Sequence, residues 1–128
     1  MSEQESPVLR HFMIDLETTA ITTNAGVLQI GIVEFEPTGT KAEIVFDRTI
    51  RLEDALAREY DEETMLWWQG QDQAILAGTE TESEVIADMM TVFPDIEEVM
   101  VWANGIDFDL PILSNLITDC GHHVPWHF

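Results

Sequence analysis

From His11 to Glu17 the chain alternates like a strand. Phe12, Ile14 and Leu16 fall on one side of an extended chain, and Met13, Asp15 and Glu17 on the other, the pattern of a half-buried strand. Gly26 to Phe35 is apolar almost throughout and reads as a second, largely buried strand, with Gly31 where side-chain room is short. Thr18 to Ala25 is the polar connection between them. Glu36 to Thr40 carries turn chemistry around Pro37 and Gly39, and Lys41 to Ile50 reads as a third strand. The second and third strands are expected to pair as an antiparallel hairpin, with the first strand in the same sheet.

The period then changes. Asp61 to Glu63 supply a cap and an acidic first turn ahead of Thr64 to Trp68, and Gly70 ends that helix. Gln71 to Leu76 adds a turn or two. Thr81 and Glu84 form a capping-box pattern that opens a helix with the stripe Val85, Ile86, Met89, Met90 and Phe93, stopped by Pro94. Val99 to Ala103 is a short apolar strand and Asn104-Gly105 a turn. Phe108 to Thr118 is a helix whose inward positions are Phe108, Ile112, Leu113, Leu116 and Ile117, with Gly121 just past its end. Three strands, helices, a strand and a helix make a mixed α/β layered fold, expected as one domain over residues 1–128 after a polar lead-in, Met1 to Pro7.

Composition agrees with a folded chain. At 128 residues with 45% hydrophobic content and four Trp, it can bury a core. No run reaches the roughly 18 apolar residues of a membrane span, so no membrane partner is expected and the location is expected to be cytoplasmic. A lone Cys120 excludes an internal disulfide and reads as a structural, partly buried thiol. Charge changes the picture more. Five Lys and Arg face 25 Asp and Glu, a formal −20 spread from end to end. Such a surface repels phosphate backbones and argues against simple non-specific DNA binding. It also allows acidic side chains to imitate nucleic acid for a basic partner protein.

Candidate chemistry lies in two places. Asp15 and Glu17, at i and i+2, point the same way at a strand end, and like charges there call for a cation such as Mg²⁺ or Mn²⁺. Asp107 and Asp109 sit where a strand gives way to a helix, a common position for functional groups in α/β folds. Asp107 can serve as the helix N-cap, while Asp109 takes its direction from a buried Phe108. Trp67 and Trp68 point about 100° apart on a helix, so at least one belongs to the core; structural roles are expected for both.

Asp15 to Thr18, followed by Asn24 to Val33, resembles the first motif of the DEDD 3′–5′ exonucleases of the ribonuclease H-like superfamily. Asn104 to Asp109, with Leu113, resembles their second. The helix of Leu66, Trp67 and Trp68 and the closing Pro125 to Phe128 resemble the phage and bacterial branch. The resemblance implies a ribonuclease H-like mixed sheet with flanking helices. It implies metal-dependent 3′–5′ exonucleolysis with two Mg²⁺ or Mn²⁺ ions, acting on single-stranded DNA or RNA 3′ ends. Asp15 would bridge both ions, Glu17 would bind the nucleophile-side ion and Asp109 the other. Thr18 and Leu28 would border the pocket for the terminal nucleotide, and Asn104 would either touch the backbone or make the turn. The family's third motif, an Asp following a His or Tyr on a late helix, has no counterpart. None of His122, His123 and His127 is followed by an Asp, and the chain is expected to correspond to the first two-thirds of an exonuclease. The alternatives are a non-catalytic acidic relative that binds or inhibits a basic nucleic-acid-processing protein, and a homo-oligomer or complex that completes the domain.

Self-repulsion at −20 should be relieved by screening. The melting temperature should rise between low salt and about 0.5 M monovalent salt; a flat or falling curve would show that the acids are locally paired.

Overall fold

In a computed structural model, residues 9–94, 98–105 and 108–126 are described. Four strands, β1 (Arg10–Thr18), β2 (Val27–Phe35), β3 (Ala42–Thr49) and β4 (Val99–Trp102), form one sheet in the order β3-β2-β1-β4. β1 is antiparallel to β2 and parallel to β4, and β2 and β3 form the expected hairpin. The helices are α1 (Leu52–Leu56), α2 (Glu62–Gln69), α3 (Glu82–Met90) and α4 (Asp109–Asp119), with a 3₁₀ turn at Gln73–Leu76. None of the described helices is long and apolar enough to cross a membrane.

The alternation of β1 becomes a two-faced strand. Phe12, Ile14 and Leu16 are buried, and with Ile30, Ile32 and Phe46 they form the sheet side of the main core. α3 contributes Val85, Ile86 and Met89, and α4 contributes Leu110, Ile112, Leu113, Leu116 and Ile117. Phe93 stays buried although α3 ends at Met90, its ring edge-on to Phe12 at 5.0 Å and to Trp126 at 5.6 Å. A smaller cluster joins Leu28 and Ala55 to Met65 and Trp68.

The helix ends follow local chemistry. Asp61 caps α2 through the Thr64 N–H, and Thr81 and Glu84 complete the capping box of α3. At the end of α4, Gly121 has φ 86°, while its N–H reaches the Thr118 carbonyl and that of His122 the Ile117 carbonyl. Those two bonds make a Schellman cap. Cys120 beside it is half-buried, and burial pushes its thiol pKa up.

One element has no signal in the sequence, and two expectations need correction. α1 was not foreseen, because its five residues carry no cap bond and are set by Ala55 packing under Leu28. Gly31 is not crowded: a Cβ there would meet only the Asp15 carbonyl oxygen, at 3.8 Å. Phe108 does not face the core; it is 40% exposed, and Gly105 leaves the room its ring fills. Asp107, expected as a possible N-cap, and His127 lie outside the described residues.

One glycine is required by close approach. A Cβ on Gly26 would stand 2.1 Å from the Ala55 carbonyl oxygen. Gly26→Ala should therefore destabilise the protein by about 2–3 kcal/mol, read as a lowered denaturation midpoint with unchanged slope. Gly31→Ala, by contrast, should leave the midpoint level or higher.

Candidate active site

The chain end of β1 is held by a buried hydroxyl. Thr19, with no exposed surface, donates from Oγ1 to the Glu59 carbonyl at 2.7 Å and accepts from the Gly26 N–H at 2.9 Å. The strand that carries Asp15 and Glu17 is thereby tied to the start of β2 and to the segment entering α2. Trp68 adds a second tie, its indole N–H donating to the Thr18 carbonyl at 2.9 Å. Neither tie has a signal in the sequence, since Thr19 reads there as one of several loop threonines.

β4 pairs with β1 only as far as Met13 opposite Trp102. Beyond that point β1 has no strand neighbour on this side, and α4 begins there. Asp109, in the first turn of α4, is only 4% exposed, and its carboxyl lies beside the Leu16 backbone N–H. Asp15 is exposed and Glu17 half-buried on the strand. The charge of Asp15 acts on both of the other carboxyls. Burial, then the charges of Asp15 and Asp109, raise the Glu17 pKa above its ordinary 4.5. Burial, then the Asp15 charge, raise that of Asp109 above 3.8, with the Leu16 N–H opposing. The sequence motifs thus come together in space.

A cavity of about 250 Å³ opens beside Asp15 and Glu17. Its floor is the bare backbone of Gly31, which pairs with Asp15 on one side and Asp47 on the other. Asp47 lines the far wall and accepts from the Gln29 amide at 2.8 Å. This fourth carboxylate was missed by sequence reasoning, because its proximity follows from hairpin register rather than from spacing.

The remaining predicted site residues are distributed less tightly. Thr18 is half-buried, its hydroxyl donating to the Ala20 carbonyl at 2.7 Å. Leu28 is wholly buried in the smaller cluster and does not line the cavity. Asn104 lies exposed in the turn after β4. Trp67, expected as structural, is 56% exposed, whereas Trp68 is the core member of the pair. Their rings meet edge-on at 4.8 Å. His122 closes α4 through its backbone, and His123 is exposed.

Carboxylate oxygens on a partly buried site are the donors that Mg²⁺ and Mn²⁺ take, and the raised pKa values show charge that a cation would relieve. As the side chains stand, no three His, Cys, Asp or Glu among the described residues close around one ion. The donor chemistry therefore fits a divalent metal, and ligation needs side-chain rotation.

Residues 10–128 match the sequence model of the family described as the 3′–5′ exoribonuclease Rv2179c-like domain. No curated protein sequence matches. Among solved structures, the metal-free form of the E. coli exonuclease I complex with single-stranded DNA superposes with a TM-score of 0.65 at 16% identity, over 91% of this chain and 25% of that one. The zinc-ion-bound form of that complex gives 0.66 at 15% identity, over 92% of this chain and 25% of the other. This chain thus spans about a quarter of the exonuclease I chain. At such identities the likeness is one of fold, a ribonuclease H-like mixed sheet with flanking helices.

The raised carboxyls set a pH dependence. The metal-free folded state holds more protons than the unfolded state from about pH 4 up through the raised values, so stability falls as pH rises across that window. Asp15→Asn removes a repelling charge. In chelator it should be more stable than wild type by about 1 kcal/mol at pH 7, and the gap should close on acidification to about pH 4, as Glu17 and Asp109 take up protons. Denaturant unfolding at both pH values would show it; an equal midpoint at pH 7 would mean the charges do not interact.

Proposed function

The chain belongs to the family of 3′–5′ exoribonuclease Rv2179c-like domains, and from that premise we propose that it hydrolyses single-stranded RNA from the 3′ end with Mg²⁺ or Mn²⁺. The observation that carries the reading is the electrostatic coupling of Asp15, Glu17 and Asp109 where β1 runs past β4 and α4 begins. Asp15 and Glu17 would hold an ion from the strand and Asp109 from the helix, after the side-chain rotation noted above. Divalent ions held there would supply charge stabilisation and water activation for phosphodiester hydrolysis.

The chain's own part is placement. Thr19 and Trp68 hold the strand end, so that Asp15 and Glu17 approach Asp109 at a fixed height. Trp67 presents an open aromatic face beside Trp68, and it supplies a stacking surface for a terminal base. All four arginines are engaged in ion pairs: Arg10 with Glu34, Arg48 with Glu80 and Asp88, Arg51 with Asp54, and Arg58 with Glu82 and Asp119. Substrate is therefore held by metal and stacking more than by a basic groove, which favours short single-stranded ends over long duplexes. The formal charge of −20 favours one second reading, a non-catalytic acidic mimic that occupies a basic nucleic-acid-processing protein.

Purified protein incubated with 5′-labelled RNA and DNA oligonucleotides in Mn²⁺ separates the two. Shortening from the 3′ end, abolished by chelator and lowered at least ~100-fold in Asp15→Ala, is the expected result, with RNA cut faster than DNA. Gly31→Ala should fold normally yet cut more slowly, because its methyl enters the cavity floor. Intact oligonucleotides would overturn the enzyme reading.

A further inference from the structure

Two strands set a His, two Met and a Trp in one corner of the sheet. In the parallel pairing of β1 with β4, His11 stands opposite Met100 and Met13 opposite Trp102. Residues paired across strands share a face, and so do residues two apart along one strand. All four therefore project to the side away from Phe12 and the main core. Their Cα atoms mark a rectangle of about 4.8 Å between strands by about 7 Å along them. Such residues usually fill a core, but none of the four belongs to either core cluster, and Met100 and Trp102 are 42% and 43% exposed.

The donor chemistry is soft and neutral. Thioether sulfur is a ligand for Cu⁺, imidazole nitrogen is a second, and neither offers the oxygen that Mg²⁺ or Mn²⁺ takes. Across the sheet the two rows continue through Phe35 and Ala42, and through Val33 and Ile44, with no charged residue in either row. The next position of β1 on this face is Asp15, where the candidate active site begins. A hard divalent ion is drawn to those carboxylates, and a soft monovalent ion to the sulfurs.

The indole is already directed at the imidazole. Trp102 Nε1–H donates to His11 Nδ1 at 3.1 Å, with the two ring centroids 5.9 Å apart. A neutral imidazole that accepts at Nδ1 carries its proton on Nε2. An ion that ligates Nδ1 takes the lone pair the indole uses. One that ligates Nε2 displaces the proton to Nδ1, which then donates. Either way the indole is released, with its ring within the roughly 6 Å reach of a cation–π contact.

We propose that His11, Met13 and Met100, with the Trp102 ring as a fourth contact, bind one soft monovalent cation, Cu⁺, for which Ag⁺ is the redox-inert counterpart. The inference does not rest on the nuclease reading, because none of these residues holds the divalent ions of that reading.

The probe is Ag⁺ alone, titrated by calorimetry in chloride-free buffer into wild type and into Cys120→Ser, which removes the single thiol. A one-to-one site should persist in Cys120→Ser. In that background Met13→Leu and Met100→Leu, which conserve volume and leave the fold intact, should each weaken Ag⁺ at least tenfold, and Met90→Leu on α3 should not. Methionine methyl NMR should show Met13 and Met100 shifting on Ag⁺ addition, while the buried Met65 and Met89 stay in place. Loss of the site in Cys120→Ser, unchanged affinity in both Leu variants, or displacement of Ag⁺ by an excess of Zn²⁺ would overturn the proposal. So would a tenfold loss in Asp15→Asn, because that assigns the ion to the carboxylates.

Discussion

Like charges forced together at the meeting of β1 and α4 are the constraint around which the other features arrange themselves. Asp109 is almost wholly buried with one backbone N–H beside it; burial and then the Asp15 charge raise its pKa, and burial with the charges of Asp15 and Asp109 raises that of Glu17. An unpaired buried carboxylate is costly, so the surrounding fold must be stable without help from this spot. It is stabilised on the other face of the same strand, where Phe12, Ile14 and Leu16 are locked into the core. Burial on one side and charge on the other are two consequences of one alternating stretch.

Scarce cations are spent on architecture. Arg58 alone ties Asn24 and Ala25, Glu82 at the start of α3, and Asp119 at the end of α4. Arg48 joins β3 to Glu80 and α3. Carboxylates left over from these pairs give the surface its sign, which repels phosphate.

The four strands, the hairpin, the capping and the pair of acidic motifs were legible because they depend on local rules: alternation, cap chemistry and helix ends. Asp15, Glu17 and Asp109 could be named from residue pattern and family resemblance together. What could not be read is set by tertiary contact. Thr19 looks like a loop residue until its hydroxyl is seen bridging Gly26 and Glu59. Asp47 enters the cavity by hairpin register across Gly31. Phe108 has the period of a core residue, yet the turn before it offers Gly105 as a closer seat. Trp67 and Trp68 are chemically identical neighbours, and only the direction of α2 separates the exposed ring from the buried one.

The pairing of β1 with β4 also bears on how the chain reaches this structure. β1, β2 and β3 form a meander of neighbouring antiparallel strands, whereas Arg10 meets Val99 only after most of the chain has been laid down. Loop-closure entropy makes such a distant parallel contact slow. During synthesis the meander can assemble while one side of β1 still lacks its neighbour, leaving its edge open for the longest part of folding. Arg10 and Asp15 on that strand, and the acidic character of the whole chain, then act as guards against edge-to-edge aggregation of nascent molecules.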